Sequence, residues 1–190
     1  MEYAIFDASN ISMSHRIILD HQRFQLTLKR LCYQLIENHD KFENTVIIGL
    51  QPRGILLSRC IRNELGKLLG KSLIYGELDT TFFRDDFRIK PLVPASTSID
   101  FVVEGKKVVL IDDVLFTGRS IRAALDALQH FGRPANVELL VLVDRRLSRH
   151  VPVQPDYTGL TVDAIFSEQV VLNWNSDETH AEVLLKNKES

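Results

Sequence analysis

The chain has 190 residues, 45% of them hydrophobic and 25% charged, with 23 Lys and Arg against 25 Asp and Glu. At ~150 residues per domain this predicts one domain, large enough to bury a core without metal or disulfide staples. The near-balanced charge excludes a molecule that is basic overall and confines nucleic-acid binding to a local patch, and the apolar content excludes disorder as the main state.

In chain order, Phe24, Leu28, Leu31, Cys32, Leu35 and Ile36 fall on one face of an amphipathic helix, with Lys29 and Arg30 beside it. Thr45 to Leu50 is a short apolar run that reads as a buried strand. Gln51-Pro52-Arg53-Gly54 is a turn signal, after which Ile55, Ile61, Leu65 and Leu68 resume helical spacing. Ser72 to Tyr75 is a further strand candidate. Leu78 to Glu104 mixes aromatics, charges and prolines and reads as a long excursion, the kind of loop that forms lids or binding segments. Val108 to Ile111 is a strongly apolar strand, Asp112 to Gly118 a loop, and Ser120 opens a helix carrying Ile121, Ala124, Leu125 and Leu128 on one face. Gly132-Arg133-Pro134 stops that helix. Val137 to Val143 and Leu160 to Phe166 are the last predicted strands. Strands alternating with helices predict a mostly parallel α/β sheet, in which ligands bind beyond the carboxyl ends of the strands. That rule selects Gln51–Gly54 and Asp112–Ser120.

Other classes are disfavoured. Cys32 and Cys60 have no CxxC spacing and read as buried thiols in a reducing compartment. The six histidines form neither HxxxH nor HExxH. Residues 1–10 carry no apolar signal core, and no stretch reaches ~18 apolar residues, so a cytoplasmic protein without a membrane span is expected. Gly66-Lys67-Leu68-Leu69-Gly70-Lys71-Ser72 is one residue short of a P-loop and follows a helical pattern instead of a strand.

The second loop holds the chemistry. Adjacent acids at a strand end cost free energy unless cations or hydroxyl donors meet them, although one could be an ordinary salt-bridged loop acid. Thr117-Gly118-Arg119-Ser120 sets hydroxyls on both sides of a glycine at a helix start, which suits a phosphate. Simple N-capping by Thr117 or Ser120 uses the same geometry. A ligand bearing both a diol and a phosphate answers both halves of the loop.

The run Val108 to Ser120 resembles the phosphoribosyl pyrophosphate (PRPP) signature of type I phosphoribosyltransferases. The wider chain is similar to the PyrR family of bifunctional pyrimidine operon regulators and uracil phosphoribosyltransferases. Gly49 to Ile55, Gly76 to Asp86, Ile111 to Leu128 with Gly132-Arg133-Pro134 and Leu142 to Arg145, and Pro155 to Gly159 carry that similarity. The resemblance implies a type I phosphoribosyltransferase fold in a single domain over 1–190. A lid would span about residues 78–104, and a hood would come from about 1–23 and 145–190. It implies that Asp112 and Asp113 bind the ribose hydroxyls of PRPP. Val114, Leu115, Phe116, Thr117, Gly118, Arg119 and Ser120 would cradle its 5′-phosphate, and Pro52, Arg53 and Gly54 would form the pyrophosphate loop. Arg84, in the lid, would reach the pyrophosphate, so Arg53, Arg84 and Asp113 are the expected catalytic residues. Arg133 and Thr158 would contact nucleotide or base. Mg²⁺ would ride on PRPP with no protein-only site, and dimers or tetramers are expected.

Phe116 stands where 6-oxopurine enzymes of this superfamily carry a proton-transferring Asp, and Leu140 to Asp144 lacks their base-recognising lysine. Uracil is therefore the expected acceptor and UMP the product. The family also implies binding of an mRNA leader, for which Lys29, Arg30, Arg145, Arg146, Arg149 and His150 are the candidates. Leu147-Ser148-Arg149-His150 departs from the family by an inserted residue, and Tyr33 replaces a more polar one. Three readings stay open: a uracil phosphoribosyltransferase, a nucleotide-sensing RNA-binding regulator, and an enzyme of this fold acting on another base.

Overall fold

The computed structural model describes residues 15–83 and 96–187. Two sheets are formed. The larger has the strand order β3-β2-β4-β5-β6, from β2 (Thr45–Leu50), β3 (Tyr75–Leu78), β4 (Lys107–Leu115), β5 (Asn136–Arg146) and β6 (Tyr157–Asp163), all parallel. The smaller is antiparallel, in the order β1-β8-β7, from β1 (Arg16–Leu19), β7 (Glu168–Trp174) and β8 (Ala181–Asn187). The helices are α1 (His21–His39), α2 (Gly54–Leu69) and α3 (Arg119–Leu128).

Alternation along the strands builds a core on each face of the large sheet. Val109 and Ile111 of β4, with Ile47, Leu140 and Leu142, pack against Phe24, Leu28, Leu31 and Leu35 of α1 and Leu57, Ile61 and Leu65 of α2. Val108 and Leu110, with Val46, Ile48, Leu139 and Val141, pack against Ile121, Ala124, Ala127 and Leu128 of α3. Each fully buried Leu or Ile contributes roughly 1.5–3 kcal/mol. The small sheet adds Leu19, Val170, Leu172, Val183 and Leu185 to the first core, so it is a hood packed on the main body. Where α1 begins, the Asp20 side chain accepts the Arg23 N–H at 2.8 Å. At the other end of the sheet His39 is buried, with Nε2 3.0 Å from Glu138, which also accepts the Tyr157 hydroxyl at 2.6 Å.

Several expected elements shift. The strand expected at Ser72–Tyr75 is instead Tyr75–Leu78, because β3 pairs with the carboxyl half of β2, Ile47 opposite Tyr75 and Leu50 opposite Leu78. The strand expected at Leu160–Phe166 starts at Tyr157, opposite Leu140, and ends at Asp163. β1, β7 and β8 were not expected individually. In the long excursion Thr81–Phe83 forms a 3-10 turn, and Glu77 and Ser98 exchange backbone hydrogen bonds of 2.9 and 2.8 Å along the free edge of β3. Arg84, Asp85 and Asp86 lie outside the described residues, as do parts of the expected lid and hood. Among the described residues no helix is long and apolar enough to cross a membrane. Gly66 to Ser72 is the end of α2, capped by Gly70 at φ 65°.

Candidate active site

The acidic pair lies inside a strand, which corrects the loop expected at Asp112–Gly118. β4 runs on to Leu115 because its ladder with β5 continues, Asp112 opposite Val141, Val114 opposite Val143 and Leu115 opposite Asp144. Asp113 is buried and Asp112 partly so. The pair is locally held: Asp112 Oδ1 accepts the Asp113 N–H at 2.9 Å, and Asp113 Oδ1 accepts the Val114 N–H at 2.7 Å. Burial pushes the Asp112 carboxyl well above the ordinary carboxylate range, and the adjacent Asp113 charge pushes it further. Burial also raises Asp113, against the pull of the Val114 N–H and the Arg53 guanidinium. The backbone has put two carboxyls where water serves them poorly and where Arg53 is the nearby positive charge acting on both.

The other loop is set against this strand by a glycine. A Cβ on Gly54 would stand 2.5 Å from the Ile111 carbonyl oxygen and 3.0 Å from Asp112 Cα, so α2 begins in direct contact with the acidic strand. That contact brings Leu50–Arg53 and Asp112–Ile121 around one cavity of about 470 Å³. The Gln51–Pro52 peptide is cis. Gln51 is fixed by its N–H to the Leu78 carbonyl at 2.9 Å and by its side chain to the Ser96 carbonyl at 2.7 Å.

On the far wall, α3 starts from Gly118, whose φ of 86° suits glycine and which brings no capping side chain of its own. Of the residues considered for capping, Thr117 accepts the Arg119 N–H on Oγ1 at 3.5 Å, a long hydrogen bond. A helix start N-capped by glycine presents backbone donors and positive dipole to an anion. The Thr117 carbonyl is tied to the β5–β6 loop, accepting the His150 and Val151 N–H groups at 2.9 and 3.1 Å.

A second cavity, of about 440 Å³, lies on the other side of Phe116, walled by Leu147–His150 and Asp163–Phe166. Phe116 is common to both cavities. Arg145 lies over its ring, with the guanidinium carbon 4.4 Å from the centroid. Arg149 donates to the Phe116 carbonyl and to Asp144. The sequence reading missed Ile165 and Phe166 as site residues, because their positions depend on long-range folding.

Of the residues expected at the site, Pro52, Arg53 and Asp112 to Ser120 converge on one cavity, and Gly54 seats the helix behind it. Arg133 does not join them. It precedes β5, whose Asn136 pairs with Lys107 at the start of β4, so it lies beyond the amino end of the sheet, its N–H on Glu104 at 2.6 Å. Thr158 sits on β6 level with Asp112 through Val141, and its carbonyl accepts a hydrogen bond from Arg30. The expected RNA contacts change as well. Arg145 is 2% exposed, enclosed by Phe116 and the Ile165 turn, and cannot meet an RNA phosphate. Arg30 donates to the Thr158 and Gly159 carbonyls at 3.0 and 2.7 Å, and Arg146 makes a two-pronged pair with Asp163 at 2.7 and 2.6 Å. Lys29 is exposed.

No cluster of three or more metal-binding side chains occurs among the described residues. Two adjacent acids fit a divalent cation that brings further oxygen ligands on its own substrate, the usual habit of Mg²⁺ with phosphates.

Comparison with known proteins agrees with this geometry. The phosphoribosyl transferase domain family matches residues 14–175. A bifunctional PyrR protein of Haemophilus ducreyi is 42% identical over 157 residues, 82% of this chain and 87% of its own. One from Lactococcus lactis subsp. cremoris is 37% identical over 177 residues, 93% of this chain and 100% of its own. The solved hypoxanthine phosphoribosyltransferase of Trypanosoma cruzi superposes with a TM-score of 0.69 at 14% identity, covering 92% of this chain and 97% of that one, a likeness of fold.

Proposed function

Since this chain belongs to the phosphoribosyltransferase family and, within it, to the PyrR proteins, we propose that it transfers the phosphoribosyl group of PRPP to uracil. The products are UMP and pyrophosphate. The observation that carries this reading is the meeting, in one cavity, of a buried and a half-buried acid, a helix start N-capped by glycine and Arg53.

Each part answers one part of PRPP. Asp112 and Asp113 accept hydrogen bonds from the ribose hydroxyls, which add donors to those the backbone already supplies. The α3 start and the Thr117 and Ser120 hydroxyls hold the 5′-phosphate. Arg53 faces the pyrophosphate. As the bond from C1′ to the pyrophosphate oxygen breaks and uracil N1 closes on C1′ with loss of its proton, negative charge grows on the leaving group. A guanidinium fixed there stabilises that charge more than the ground state. Mg²⁺ on the pyrophosphate oxygens would supply further positive charge, with the acids of β4 as its protein partners. The second cavity receives the base: Phe116, Ile165 and Phe166 offer apolar surface to a flat ring, and Phe116 has no proton to give a purine nitrogen.

Incubation with PRPP, Mg²⁺ and a panel of bases tests this. Uracil alone should be consumed. Consumption of hypoxanthine or guanine in its place would overturn the assignment of the acceptor.

A regulatory reading has its own support, because a Lactococcus lactis relative 37% identical to this chain is named a pyrimidine operon regulatory protein. RNA binding would use Lys29 and surface around α1, since Arg145 is buried. A gel shift on a pyrimidine leader RNA with UMP present should show retardation that weakens between about 50 and 200 mM salt. Absence of retardation at the lower salt would remove this role.

A further inference from the structure

Arg145 is the most anomalous residue beside the site. Among the described residues its Nε is the buried side-chain polar atom left without a hydrogen-bond partner. The residue is 2% exposed, and among the described residues no carboxylate pairs with it directly; Glu168 acts on it as a nearby charge. A buried cation with an unmet donor costs stability, so the fold alone gives no reason to keep it.

Its contacts suggest the reason. The guanidinium lies over the Phe116 ring, at 4.4 Å, and donates to the Ile165 carbonyl at 2.6 Å. The other polar group of Ile165 is also held, its N–H on Glu168 at 2.9 Å. Phe116 and Ile165 come from different segments, the loop after β4 and the turn between β6 and β7, and both line the second cavity. The side chains of Ile165 and Phe166 are 67% and 76% exposed, yet the turn that carries them is pinned from both sides. Apolar side chains held rigidly toward solvent around a cavity prepare it for a flat apolar ligand.

We infer that Arg145 is a positioning residue that spaces the two walls between which the base docks. The inference rests on the assignment of the second cavity to the base. Arg145 acts through Phe116 and Ile165 and leaves the phosphate end of the site alone. Lysine cannot replace it, because an ammonium can neither lie flat on the ring nor span ring and carbonyl in one plane.

The test compares UMP with ribose 5-phosphate, which lacks the base, by calorimetry on the wild type, R145M and R145K, with thermal melts alongside. Wild type should bind UMP more tightly than ribose 5-phosphate. R145M should lose about 10-fold in UMP affinity, the weight of a desolvated cation–π contact. Its affinity for ribose 5-phosphate should stay unchanged and its Tm should not fall. R145K should lose UMP affinity likewise, and it carries the test if R145M does not fold. UMP affinity unchanged in both variants, or both ligands weakened together, would overturn the inference while leaving the base cavity assigned. A wild type that binds the two ligands equally would defeat the cavity assignment itself, and the inference with it.

Discussion

Asp112 and Asp113 are both pushed toward the protonated form by burial. A carboxyl whose folded pKa stands above its unfolded value holds its proton more tightly in the native state. Its contribution to stability is complete below the unfolded value and is lost as pH rises through the folded one. The unliganded protein therefore carries a penalty at neutral pH that the hydroxyls and cation of the proposed substrate would relieve. Asp113→Asn removes the charge and keeps the shape. It should raise the unliganded Tm at neutral pH by about 2–4 °C, or about 1 kcal/mol, with the gain shrinking as pH falls toward about 4. The same variant should weaken PRPP binding at least ~10-fold by calorimetry, through loss of a charged acceptor. A lower Tm with unchanged PRPP affinity would make the acid structural. Arg53 is exposed, so Arg53→Ala should leave the Tm in place and lower kcat at least ~100-fold, the cost of one donor to developing charge. A near-wild-type kcat would remove Arg53 from the mechanism. Arg145 marks where sequence reasoning stops at this scale: in Asp144-Arg145-Arg146 it reads as a surface cation, while the structure sets it against Phe116 and Ile165, in the loop after β4 and the turn after β6.

Elements position these residues through a few tight contacts. The start of α2 lies so close to β4 that a methyl on Gly54 would overlap the Ile111 carbonyl, which is backbone and cannot swing aside. Gly54→Ala should therefore cost about 1–3 kcal/mol of stability, read as a Tm drop of several degrees, and should lower kcat as well, because Arg53 precedes the displaced turn. A variant with normal Tm and kcat would show that the helix can shift without moving the site. Much of this was legible from local pattern: Val108–Ile111 placed β4, and the Thr117–Ser120 run placed the start of α3. The end of β4 was not, since two acids interrupt the apolar run while the ladder with β5 goes on to Leu115. β3 was set three residues early because Ile74 and Tyr75 continue an apolar pattern, whereas the register is decided by β2. β1, β7 and β8 left little signal, being short and only partly buried, with β1 and β8 paired from opposite ends of the chain.

At the scale of the whole molecule, the hood and the large sheet share one core. Leu19, Val170, Leu172, Val183 and Leu185 pack in the same cluster as Phe24, Leu28, Ile47 and Val109. Trp174, the single tryptophan, projects from β7 and meets the Phe24 ring edge-on at 5.6 Å and 84°, so it reports the junction of hood and α1. A shared core predicts cooperative unfolding. Trp174 fluorescence and helical circular dichroism should give the same thermal midpoint, and both should rise together when UMP is added, because ligand bound to the native state stabilises every element coupled to it. If Trp174 lost its native signal several degrees before the helices melted, the hood would be a separate cooperative unit. The Ile165 wall would then loosen while Asp112, Asp113 and the start of α3 remained folded, and the base end of the site would open before the phosphate end.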